Sequence, residues 1–190
     1  MSESWKTRID RWIADRSVEI AAVYDELHAM PELAWREERT TKAVLRRLGE
    51  MGLDARPLPG QTGAVALWNG RDIGAATAAD RTVALRADMD ALWQTVGGKE
   101  RANHSCGHDA HMTMVLSALR CLKEIGWGPP PGRRVAAVFQ PAEETGEGAR
   151  ALLRSGVMDG IDWLLGIHLR PRKELPFGKA SGAIYHGGAA

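Results

Sequence analysis

Apolar positions recur at helical spacing in several stretches of the chain, and short continuous apolar runs separate them. Residues 5–29 place Ile9, Ile13, Ile20, Val23 and Leu27 on one side, the spacing of an amphipathic helix. The reading is one long helix, or two with a break near Ser17, ending at the Met30-Pro31 step because Pro disfavours helical backbone in the residue before it. Residues 37–51 repeat Thr41, Val44, Leu45 and Leu48 on one face and stop at Gly52, a favoured helix terminator. The period then changes. Residues 63–68 and 82–87 are short runs of Val, Ala and Leu, read as two strands joined by the Gly/Ala/Asp-rich stretch 69–81. Residues 109–125 return to helical spacing, with Met112, Val115, Leu116, Leu119 and Leu122 opposite Thr113, Ser117, Arg120 and Glu124. After a Gly/Pro loop at 126–134, residues 135–139 read as a buried strand, 144–155 as a helix and 162–167 as another strand. This alternation predicts an α/β sandwich with helices on both faces of a mixed, largely parallel sheet.

Composition narrows the class. A chain of 190 residues fits one domain of ordinary size. Its 44% hydrophobic and 26% charged residues are those of a globular protein. A formal charge of +1 lacks the basic excess that phosphate backbones select, so no nucleic-acid partner is expected. No apolar run reaches membrane-spanning length, and the N-terminus lacks the uninterrupted apolar stretch of a signal peptide. The two cysteines, Cys106 and Cys121, are too few for a disulfide framework, and free thiols in the cytosol are expected. Cys121 lies beside an apolar helix face and reads as a small buried hydrophobe.

Chemistry concentrates in three places, each after a predicted strand or in a loop leading to a helix, where open α/β sheets put their ligands. His104 to His111 crowds three His, a Cys and an Asp into one short run. Thiolate, imidazole and carboxylate together suit Zn²⁺. Gln140-Pro141-Ala142-Glu143-Glu144 ends one strand and Gly166-Ile167-His168 another. Adjacent carboxylates on an extended chain point opposite ways, so one of Glu143 and Glu144 is expected to bind metal while the other faces substrate. Each piece alone has a commoner structural reading: Glu pairs complement helix dipoles, and a His ending a strand is usually just hydrogen-bonded. Their coincidence at strand ends, with Asp88 and Asp90 closing another, favours a site.

The runs HAMPELAWREERT, TGAVALW, VALRADMDAL, HSCGHDAHMT, FQPAEE and GIH with Pro171 after two further residues resemble the amidohydrolase branch of the aminoacylase and carboxypeptidase-G2-like zinc metallopeptidases. That branch includes hippurate hydrolases and hydrolases of auxin amino-acid conjugates. The stretch RANHSCGHDAHMTM, with Trp93 where most members have Pro, is most similar to bacterial AmhX-type amidohydrolases. The resemblance implies a zinc-peptidase-like three-layer sandwich and a pair of divalent metal ions, Zn first and Mn, Co or Ni as alternatives. It implies Cys106, His108, Glu144 and His168 as metal ligands and Glu143 as general base. Asp90 matches an acidic residue that supports a ligand from behind, and Asp88 stands where other branches carry a metal-binding His. His28 and Glu32 match a family motif that helix-end packing explains equally well.

The implied reaction is metal-dependent cleavage of the amide bond of an N-acyl amino acid or similar small amide. Family members continue into a lid domain, commonly used for dimerisation, and return with further strands and a last His ligand. Residues 1–190 are therefore expected to be the N-terminal part of the catalytic domain, with the sheet incomplete at its C-terminal end, the lid absent and a homodimeric parent an option. His186, in the tail, does not match the last ligand. Two competing readings remain: a non-catalytic metal-binding remnant, and a thiol redox protein relying on Cys106, against which stands the absence of a Cys-x-x-Cys pair.

Overall fold

The N-terminal amphipathic stretch forms two helices, α1 (Trp5–Asp15) and α2 (Ser17–His28), broken at Arg16. The computed structural model describes residues 3–69 and 80–182, so His186 and most of the loop read at 69–81 lie outside the described residues. Ser4 caps α1 by accepting from the Thr7 amide. Helix α3 (Glu38–Glu50) is capped from upstream, because the Glu32 carboxylate accepts from the Thr40 amide at 2.9 Å, the Thr40 hydroxyl at 2.8 Å and the Arg39 amide at 3.2 Å. Glu32 thus has helix-end work to do. The expected helix at 109–125 is α4 (His108–Glu124).

Seven strands complete the order: β1 (Asp54–Pro57), β2 (Ala64–Trp68), β3 (Arg81–Asp88), β4 (Leu92–Val96), β5 (Lys99–Asn103), β6 (Arg133–Gln140) and β7 (Trp163–Gly166), with α5 (Gly148–Arg154) between the last two. The main sheet runs β1-β2-β6-β3-β7. β3 pairs in parallel with both β6 and β7, while β1 and β2 run antiparallel at the other side. The sheet is mixed as expected. Strands β1, β4 and β5 are not among the expected elements. β1 is short, polar and ends in Pro, so it carries no alternation to read. β4 and β5 form a separate hairpin, turned by Gly97 and Gly98, both at positive φ. That Gly-Gly pair was a usable signal. Helix α5 begins four residues later than expected, for a reason given with the site.

Side chains of the sheet alternate between two cores, as the pleat requires. Ala64, Ala66, Ala87, Ala137 and Phe139 face α2, α3 and α4, through Leu27, Val44, Leu48, Met112 and Leu116. Val65, Leu67, Ala84, Ala136 and Val138 face the other way, toward Leu152 of α5. The three layers follow. Cys121 is buried beside Trp12 and Ile125, as its apolar neighbourhood predicts. The register Asp88↔Gln140 and Arg86↔Gly166 brings the carboxyl ends of β3, β6 and β7 to one edge of the sheet.

Strand β7 is unusual for its apolarity: Trp163, Leu164 and Leu165 are 60%, 46% and 56% exposed. Its outer edge has no strand beside it among the described residues, and an uncovered apolar edge invites association. Leu165→Lys is expected to leave the urea midpoint near the parent's and to lower light scattering. Leu116→Ala, at a site with 2% exposure, should cost about 2–5 kcal/mol. Equal destabilisation by the two, or unchanged scattering in Leu165→Lys, would contradict this account.

Candidate metal and catalytic site

The carboxyl edge of the sheet receives three segments. Gly107, at φ 87, turns the chain from Cys106 into α4. A Cβ there would lie 2.8 Å from the movable end of the Leu169 side chain, so it is chiefly the backbone conformation that calls for glycine. His108 begins α4 fully buried. Its Nδ1 donates to the Asp90 carbonyl at 2.8 Å, with Asp90 Oδ1 at 3.3 Å. That fixes the tautomer and leaves the lone pair of Nε2 aimed into the site, where it has no hydrogen-bond partner.

The turn after β6 supplies the paired acids. Ala142 adopts φ 51, a costly conformation for a residue with a Cβ. Its amide donates to Glu37 Oε1 at 2.9 Å, and the Glu144 amide donates to Asp90 Oδ2 at 2.9 Å. The first helical turn expected at Glu144 is therefore consumed by the site, and α5 waits until Gly148. The turn also corrects the expectation that Glu143 and Glu144 diverge. They do not lie on an extended chain, and both converge on His108 Nε2, Glu143 Oε2 at 3.7 Å and Glu144 Oε1 at 3.8 Å.

His168, half-buried, follows β7. Its Nδ1 donates to the Leu169 carbonyl at 2.6 Å, and its Nε2 lies 3.6 Å from Cys106 Sγ. Cys106, His108 and His168 can therefore offer ligand atoms within 4.8 Å of one another, and so can His108, Glu143 and Glu144. A third grouping, Asp88, His108 and His111, satisfies the same distance. Asp88 is paired with Arg86 and lies 3.6 Å from His111 Nδ1. His111 is a residue to which sequence reasoning assigned no role, although its position three residues after His108 puts both on one helix face. His28 lies outside the cluster, with Nδ1 2.6 Å from Asp109 Oδ2 and its ring stacked on Tyr24.

Charge in the site is unbalanced. Burial, followed by the carboxylates of Glu144, Glu143 and Asp88, pushes the Cys106 thiol up to about 12. Burial and the charge of Asp88 raise Glu143 above the ordinary carboxylate range. Burial alone would raise Asp90, but hydrogen bonds from His108 and the Glu144 amide hold it low. Burial opposes charge on His108, yet Asp90, Asp88 and Glu144 together raise its pKa. Burial lowers His111, helped by neighbouring imidazoles. Converging carboxylates, a suppressed thiol and an orphaned imidazole nitrogen are the donor set that a divalent cation satisfies, and the residues present fit one.

Residues 84–181 match the profile of Peptidase family M20/M25/M40. The chain is 36% identical over 160 residues to the N-acetyl-L-cysteine deacetylase of Bacillus subtilis (strain 168), covering 80% of this chain and 36% of that protein. It is 36% identical over 162 residues to IAA-amino acid hydrolase ILR1-like 4 of Arabidopsis thaliana, covering 82% and 34%. Among solved structures it resembles the Bacillus subtilis YXEP protein, described as a dinuclear metal binding peptidase from M20 family, with a TM-score of 0.67 and 32% identity. That match covers 81% of this chain and 43% of that one. The chain spans about a third of the length of these two curated relatives, 36% and 34%.

Glu37 generates a prediction about pH. It is fully buried, and its carboxylate also accepts from the Thr62 hydroxyl at 2.5 Å. Burial raises its pKa. An acid whose folded pKa is raised costs stability when ionised, so the penalty is absent below the unfolded value of about 4.3 and grows as pH rises through the folded one. Relative to the parent, Glu37→Gln should therefore gain stability between pH 4 and pH 7, because the amide can keep both partners uncharged. Glu37→Ala, which orphans the Ala142 amide, should cost about 1–3 kcal/mol for that group. Urea unfolding at both pH values decides it, and a Gln-minus-parent difference independent of pH would refute the assignment.

Proposed function

Because the chain belongs to Peptidase family M20/M25/M40, we propose that it carries the metal-binding part of a cytosolic amidohydrolase cleaving the amide bond of N-acyl amino acids or similar small amides. One observation carries the reading: Cys106, His108 and His168 meet Glu143 and Glu144 at the carboxyl edge of the sheet, around a buried imidazole nitrogen with no partner. Cys106, His108, Glu144 and His168 hold the metal ions, with zinc the first candidate. The relatives favour N-acyl amino acids, since one is named for deacetylating N-acetyl-L-cysteine and another for hydrolysing IAA-amino acids. Both cysteines are free, which suits a reducing compartment. Among the described residues no helix is long and apolar enough to cross a membrane.

Divalent ions bound here supply Lewis acidity, polarising the scissile carbonyl and lowering the pKa of water toward about 7. The protein's own contribution is proton handling and placement. The Glu143 side chain is the more open of the two carboxylates, 35% exposed against 22%. Its raised pKa moves it toward the operating range of a general base. It takes a proton from the attacking water and returns it to the leaving amine. Glu144 is fixed through its amide to Asp90 and lies nearer the Cys106 thiol, whose pKa it helps to raise. Asp90 holds the His108 tautomer that presents Nε2.

The two acids should separate under mutation. Glu143→Gln in the complete, metal-loaded enzyme is expected to keep its metal and lose on the order of 10²- to 10⁴-fold in turnover of N-acetyl amino acids. Glu144→Gln and His108→Ala should lose metal as well, measured by elemental analysis. Variants that all retain metal and activity would remove the basis for these roles.

A further inference from the structure

His111 is buried on the same face of α4 as His108, yet nothing in the proposed reaction uses it. Its two nitrogens are occupied differently. Nε2 accepts from the Leu169 amide at 3.0 Å, so its lone pair is engaged and is not offered to an ion. A neutral ring then carries its proton on Nδ1, which faces Asp88 Oδ2 at 3.6 Å. Asp88 is held by Arg86, whose Nε donates to Gln140 Oε1 at 3.0 Å. Polar groups thus line up from the sheet edge to the backbone beside His168, with Asp88 and His111 Nδ1 facing each other across a gap too long for a hydrogen bond.

That backbone sets the direction of His168. The Leu169 carbonyl accepts from His168 Nδ1 and leaves Nε2 facing Cys106 Sγ. The His111 and His168 rings pack edge to face at 4.5 Å. The apolar side chains along this segment lie largely in the open, Leu165, Ile167 and Leu169 being 56%, 65% and 45% exposed. We infer that His111 is a positioning residue: by holding the Leu169 amide it anchors the residue whose own carbonyl aims His168 Nε2 at Cys106 and His108. Asp88, on this assignment, orients His111 rather than binding an ion. The inference rests on His168 being a ligand.

The test measures metal affinity, not turnover, by competing Zn²⁺ or Co²⁺ between the 190-residue chain and a chromophoric chelator, with folding checked by circular dichroism. His111→Phe removes the acceptor and keeps a ring; His111→Leu serves instead if the larger ring unsettles α4. Either should weaken binding on the order of 10- to 100-fold, the usual cost of losing a partner behind a ligand. His111→Gln should recover most of this, because its Oε1 can accept from the Leu169 amide. In a His168→Ala background the His111→Phe change should add nothing. An equal loss in both backgrounds would mean a general structural role, and no loss in either would mean none; both overturn the inference. A His111→Gln variant as weak as His111→Phe, with one fewer ion bound, would make His111 a ligand and overturn it too. Unchanged affinity in His168→Ala alone would bring down the metal reading itself, and this inference with it.

Discussion

Asp90 is a carboxylate with no solvent exposure, and a buried charge must be satisfied from within the protein or expelled. Its backbone carbonyl takes the Nδ1 proton of His108, and one carboxylate oxygen takes the Glu144 amide. The residue just past β3 therefore ties down the start of α4 and the turn after β6 together. Because the parallel pairing of β3 with β6 and β7 already sets those strand ends side by side, this one residue, through its carbonyl and one carboxylate oxygen, fixes His108 and the glutamate turn relative to one another. The rest of the site is arranged around that knot.

The same arrangement concentrates negative charge. Burial first, and then Glu144, Glu143 and Asp88, press on Cys106, and the thiol is held protonated. On the reading proposed above, a divalent ion would reverse that balance by favouring the Cys106 thiolate and pairing with Glu144, so that part of the cost of gathering these groups would be recovered on binding.

Most of the layer structure was legible because it depends on period. The helical spacing of Leu27, Val44, Leu48 and Leu116 and the β-runs at Val65, Ala137 and Val138 are local signals of tertiary burial. Strand β1 was not, since it is a polar edge strand held by its partner, and the hairpin of β4 and β5 was missed despite Gly97-Gly98. At the site, residue types marked the runs 104–111, 140–144 and 166–168, and the family resemblance singled out Cys106, His108, Glu143, Glu144 and His168 within them. Their mutual orientation was not readable: the turn at Ala142 depends on Glu37, 105 positions earlier, and the engagement of His111 depends on Leu169, 58 positions later. Hydrogen bonds of such range leave no periodic trace.

The turn bearing the two glutamates also meets itself. A Cβ on Gly148 would lie 1.7 Å from the Pro141 carbonyl oxygen, and the Gly148 amide donates to the Ala142 carbonyl at 3.0 Å. The stretch between them is a closed ring of fixed circumference. Residues cannot be inserted or deleted within it without parting its ends, so sequence drift there is confined to substitution. The Gly97-Gly98 tip, where an added Cβ meets nothing within 4 Å, is free of that confinement. Changes of chain length can accumulate at the hairpin, and that is where a tag or a reporter could be grafted with the carboxyl edge of the main sheet left in register.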